Sequence, residues 1–172
     1  MAINFSNGTT LSTGSTGKVL QVQSTILKSD LSGSFSNYSS IQIMSVNITP
    51  SSASNTIYGW INCANDTGGN HNATALIVTR NGSQILQGDA GGSRTRCAAA
   101  MEYDASDHKI PVTSLMFVDS GHNSTNQVTY ALKMFDANGD GGDYYINRQR
   151  NDANGAGTLR STSQIVVMEV SA

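Results

Sequence analysis

The chain has 172 residues, long enough for one domain that buries its own core without staples. Lys and Arg total 10 against 12 Asp and Glu, a formal net charge of -2, and the basic residues are scattered apart from Arg94/Arg96 and Arg148/Arg150; no basic field exists to bind nucleic acid. Charged residues make up only 13%, and the Ser, Thr, Asn and Gly that stand in their place weaken helices and favour strands and turns, so the expected class is all-β.

Residues 1–17 read as a flexible N-terminal arm: a brief apolar touch at Ile3 and Phe5, then the low-complexity "SNGTTLSTGSTG". There is no charged n-region or apolar run of signal-peptide type, and no later stretch approaches the roughly 18 apolar residues of a membrane span, so cytosolic synthesis without membrane insertion is expected. That compartment makes the sequons NGT, NYS, NIT, NDT, NAT, NGS and NST chance products of composition.

Residues 18–172 are predicted to form a β-sandwich. Short alternating runs at 18–27, 40–48, 55–63, 73–80, 83–87, 95–103, 111–119, 126–135, 144–148 and 163–171 are separated by Gly/Asn/Ser/Asp clusters, and nothing long shows a helical period. In "RNGS" (80–83), Asn-Gly between two apolar runs predicts a tight hairpin, because both central residues must take φ > 0. The last strand places Ile165, Val167 and Glu169 on one face and Val166, Met168 and Val170 on the other. Apolar on nearly both sides, it belongs in the middle of a sheet or at a subunit contact.

The segment "FDANGDGGDYY" (135–145) opens like a calcium loop, with Asp136, Asn138 and Asp140 at alternate positions and Gly141 turning the chain. Position 12 of such a loop needs a bidentate Glu, yet it is Asn147, and "YYINR" is strand-like where a helix should leave. The expectation is an Asx/Gly turn in which Asp136, Asn138, Asp140 and Asp143 are candidate ligand-loop residues, with a weak ion left open and no metal site assigned. His71, His108 and His122 stand alone in loop-like settings, and Cys63 and Cys97 lack a nucleating pair, so a zinc site is not expected and the cysteines are expected to be free and buried. No nucleophile elbow, phosphate loop, dinucleotide fingerprint or split carboxylate pair is present, and neither an enzyme nor a cofactor is expected.

In "QGDAGGSRTRC" (87–97), Arg94 and Arg96 fall on one face if the segment is extended, which makes them ion-pair candidates for Asp89, Glu102 or Glu169. Trp60 lies within "TIYGWINC", where core packing is the expectation, while Tyr144 and Tyr145 are candidates to stack on a sugar ring.

Taken in order, "GKVLQVQST", "VNITPSSASN", "RNGSQILQGDAGGSRTRC", "FVDSGHNSTNQVTYAL" and "YYINRQRNDANGAGTLRSTSQIVVMEV" resemble a family of small β-domain virion proteins of tailed bacteriophages, of marine and cyanophage type. The resemblance covers most of residues 17–171. It implies a jelly-roll antiparallel β-sandwich, a homotrimer, and a place in the virion after assembly in the host cytoplasm, either as a free-standing capsid decoration (cement) protein or as a fibre tip. It brings no catalytic residues. The acidic loop at 136–143 and "SGHNSTNQ" at 120–127 depart from the family pattern, and loops of this kind are where partner contacts vary. With a short arm and no heptad or collagen repeat for a shaft, a decoration protein on the major capsid protein is the first expectation, Ile3, Asn4 and Phe5 being the capsid-contact candidates. A fibre-tip module binding host glycan through Tyr144, Tyr145 and the acidic loop is the alternative.

Overall fold

The computed structural model describes residues 3–4, 10–11, 17–68, 73–101 and 108–172. Among these residues thirteen strands follow in chain order: β1 (Ile3–Asn4), β2 (Thr10–Leu11), β3 (Val19–Leu27), β4 (Leu31–Ser34), β5 (Ser40–Ile48), β6 (Thr56–Gly68), β7 (Thr74–Arg80), β8 (Ser83–Leu86), β9 (Ala99–Ala100), β10 (Val112–Asp119), β11 (Val128–Asp136), β12 (Asp143–Ile146) and β13 (Ser163–Val170). Every pairing is antiparallel, and no helix occurs among the described residues.

Two sheets face each other. In the first, β13 lies between β3 and β6, and β10 takes the other edge of β6, giving the order β3-β13-β6-β10. The second runs β5-β11-β7-β8. The chain crosses repeatedly between the sheets, with β7 and β8 paired as a hairpin inside the second, in the double Greek key order of a jelly roll, as the resemblance implies. β6 is long enough to serve two neighbours on one edge: its first residues pair with β13, and Asn65–Gly68 pair with β12, which carries β4 beyond it.

The alternation that predicted the strands also builds the core. Ile57, Ile61, Phe117, Ile165 and Val167 point inward from the first sheet and meet Val46, Leu76, Val78, Leu132 and Met134 from the second, all at most 4% exposed. Phe117 lies opposite Gly59, and a Cβ on Gly59 would sit 2.1 Å from the ring. The glycine is the seat of the aromatic ring, which leans on Tyr130 at 5.3 Å between centroids.

The predicted hairpin is present, with Asn81 at φ 49° and Gly82 at φ 86° between β7 and β8. The last strand is central, with Ile165, Val167 and Glu169 inward. Several expectations are corrected. The run at 95–103 is strand only at Ala99–Ala100, with residues 102–107 outside the described part. The run at 55–63 continues through "NDTG" to Gly68, and "LSGS" at 31–34, which lacks strand formers, pairs because Tyr144 lies over Gly33. Within the arm, β1 pairs with β2, Ile3 opposite Leu11. Cys63 and Cys97 are free; Cys63 is buried, which pushes its thiol pKa up, and Cys97 is half-buried.

Three buried polar knots fasten the sandwich. Asn147, at φ 61° and fully buried, donates to the carbonyls of Leu27 and Ser29, both at 2.9 Å, and accepts from Ser163 at 2.6 Å. The Glu169 carboxylate, also fully buried, takes bonds from Asn55 and Gln21 (both 2.6 Å) and from the amide (2.7 Å) and hydroxyl (2.8 Å) of Ser51. Asp119 accepts from Arg80 (2.6 Å), the Tyr130 hydroxyl (2.7 Å) and the Gly121 amide (2.9 Å). Burial raises the Asp119 pKa, but these donors outweigh it and the net shift is downward.

Candidate interaction surface

The residues alternating with the core cover the outer face of the β3-β13-β6-β10 sheet. An antiparallel sheet with one side in water normally carries polar side chains there. Here the first row across the strands is Val118, Tyr58, Met168 and Val22, and the second is Met116, Trp60, Val166 and Ser24. A third row, Ser114, Asn62, Gln164 and Ile26, is polar at three of its four positions, with the Ser114 hydroxyl donating to Asn62 at 2.7 Å. None of the twelve is charged.

The apolar members at the sheet edges are open to solvent, Met116 being 65% exposed, Val118 63%, Val22 54% and Ile26 51%, and those on the central strands, Tyr58, Val166 and Met168, are half-buried. Trp60, expected in the core, belongs to this face and is half-buried. The strand period explains the correction: Ile57, Gly59 and Ile61 fill the inward positions, so Tyr58 and Trp60 must point out. A contiguous apolar patch of this kind on a sheet marks a contact surface.

The other predicted site residues are dispersed. The Asp136 carboxylate is fully buried and accepts the Gly139 amide at 3.0 Å and the Gly141 amide at 3.1 Å, Gly139 and Gly141 having φ of 75° and 71°. Asn138 donates to Asp140 at 2.6 Å, and Asp143 accepts from Ser34 at 2.6 Å. The acidic residues thus hold their own turn. No group of three His, Cys, Asp or Glu placed for a metal occurs among the described residues.

Tyr144 and Tyr145, adjacent in a strand, face opposite sides. Tyr144 packs on Phe35 with ring centroids 5.1 Å apart. Tyr145 carries the Arg148 guanidinium 5.6 Å above its ring, and burial with the neighbouring Asp143 carboxylate raises its pKa. They do not form one stacking platform.

Arg94 and Arg96 are exposed and lie in a loop, not on a strand face; Arg94 donates to the Gly91 carbonyl (2.9 Å) and Arg96 to that of Gly88 (2.7 Å). Glu169, one of their expected partners, is engaged in its buried knot, and Glu102 is outside the described residues. His122, in a loop as its sequence setting suggests, is 8% exposed, with Nε2 2.7 Å from the Asn55 carbonyl and Nδ1 3.0 Å from the Ser124 carbonyl. His71 and Phe5 lie outside the described residues, as do the side chains of Ile3 and Asn4.

No family model matches the chain, and no curated protein matches it. Solved structures similar to it include infectious bursal virus derived T=1 particles, at 16% identity and a TM-score of 0.47, covering 100% of this chain and 41% of that one. The VP2 subviral particle of infectious bursal disease virus is similar at 15% identity and a TM-score of 0.43, covering 100% of this chain and 43% of that one. The chain spans less than half the length of these solved chains.

Proposed function

We propose that this chain is a bacteriophage virion structural protein: a capsid decoration protein that binds the outer capsid shell, through the major capsid protein, as a homotrimer. One observation carries the reading. A jelly-roll body presents an uncharged apolar sheet face to solvent, and such a surface serves assembly with other protein. The ordered segments shared with small phage β-domains support the virion setting, and the polar, weakly charged remainder of the surface suits a particle exterior. The work is burial of apolar area, at about 25 cal/mol per Å², and needs no cofactor. The separation of Tyr144 from Tyr145 on opposite strand faces supports shell binding over a glycan-binding fibre tip.

In this reading the arm, with Ile3, Asn4 and Phe5, docks on the shell while the β-body caps a junction. Deleting residues 2–16 is expected to abolish co-sedimentation with undecorated capsid shells and to leave the thermal unfolding midpoint within about 2 °C, since chain termini generally contribute little to stability. Equal binding by both forms removes the arm from the mechanism. Failure of the full chain to bind shells at all overturns the decoration role.

A further inference from the structure

The geometry points to the outer face of the β3-β13-β6-β10 sheet as the surface on which three copies of this chain meet, each turning it inward around an axis parallel to the strands. This rests on the trimer of the preceding section and adds the surface that makes it. Charge is the first argument. Any ionised side chain beside a three-fold axis faces two copies of itself, and this face has none in its three rows. Asp119, the acidic residue of β10, is turned inward to Arg80 and Tyr130.

Size is the second. Four strands at about 4.8 Å spacing make a face about 19 Å wide, and three such faces closed as a triangle leave the axis about 5.5 Å from each sheet. That is close to half of the roughly 10 Å between packed sheets, so side chains from three faces meet at the axis without a channel. Because an axis along the strands keeps residues at their own height, Tyr58 and Met168 of each copy form one apolar layer and Trp60, Met116 and Val166 the next. The polar row of Ser114, Asn62 and Gln164 closes one end.

The sheet edges select three copies over two. Among the described residues β3 pairs only with β13, and β10 only with β6, so both present open edges there, and β3 carries no charge along its nine residues. With antiparallel order throughout, β3 and β10 run in opposite directions. Three-fold closure therefore sets β10 of one copy beside β3 of the next as antiparallel neighbours, Val118 level with Val22 and Met116 level with Ser24. A face-to-face pair would leave all four edges open. The Gly17 amide donates to the Ser171 carbonyl at 3.0 Å, and the three-fold axis puts Gly17 of all three copies at one end of the assembly.

The test is sedimentation velocity of the full chain at micromolar concentration, together with Met116→Glu and the control Leu159→Glu. Met116 is 65% exposed and Leu159 55% in the single chain, so neither change disturbs the core. Wild type and Leu159→Glu are expected as one species of about three times 18.1 kDa, and Met116→Glu as a folded monomer with an unaltered circular dichroism spectrum. A monomeric or dimeric wild type, or a Met116→Glu form that stays trimeric, overturns the inference. A monomer that still decorates shells would remove this surface and keep the function; a trimer that never binds them would do the reverse.

Discussion

Asn147→Ala is expected to cost about 4 kcal/mol. Alanine at φ 61° adds about 1 kcal/mol of left-handed strain. The three lost side-chain bonds, to Leu27, Ser29 and Ser163, add about 1 kcal/mol each, the usual net worth of a hydrogen bond in a folded protein. Asn147→Gly removes the bonds without the strain and should therefore cost about 3 kcal/mol, a gap that separates the two causes. Urea unfolding of the three proteins measures it. Both variants within 1 kcal/mol of wild type would show that Asn147 does not hold the start of β13 to the turn between β3 and β4.

The second large effect is at Glu169 and depends on pH. Burial drives this carboxyl's pKa up, but the bonds from Asn55, Gln21 and Ser51 outweigh it and lower the pKa from 4.5 to about 2. A folded-state pKa below the unfolded one means stability that is fully present above pH 4.5 and lost as pH falls toward 2. The shift corresponds to on the order of 3 kcal/mol. Glu169→Gln is expected to lose that amount at pH 7, since an amide turns one donor toward a pocket built only of donors. The difference from wild type should shrink as the pH is lowered to 2. A difference constant from pH 7 to pH 2 would show that the carboxylate's charge contributes nothing there.

What the sequence made legible was local. Asn-Gly at 81–82 could be read because the two-residue turn demands φ > 0, and the central place of β13 because both its faces are apolar. The same two-sidedness hid the candidate surface. In "TIYGWINC" both phases of the alternation carry large apolar residues, so nothing in the run says that Ile57 and Ile61 face the core and Trp60 does not. The small residue at Gly59, in phase with the isoleucines, was the available signal, because it marks where Phe117 from the next strand must lie. "LSGS" was missed because its pairing comes from Tyr144 more than a hundred residues away, beyond any window of propensity. The acidic loop looked like a ligand site because metal loops and Asx turns use the same residues; the two differ in where the oxygens point, and those of Asp136 point at backbone amides.

Immunogold labelling of intact virions of the phage proposed to encode this chain, with an antibody against it, decides between head and tail. Gold is expected to be distributed over the head. Gold confined to the tail would contradict it and identify a fibre part, with the loops at 120–127 and 136–145 as the surfaces to dissect.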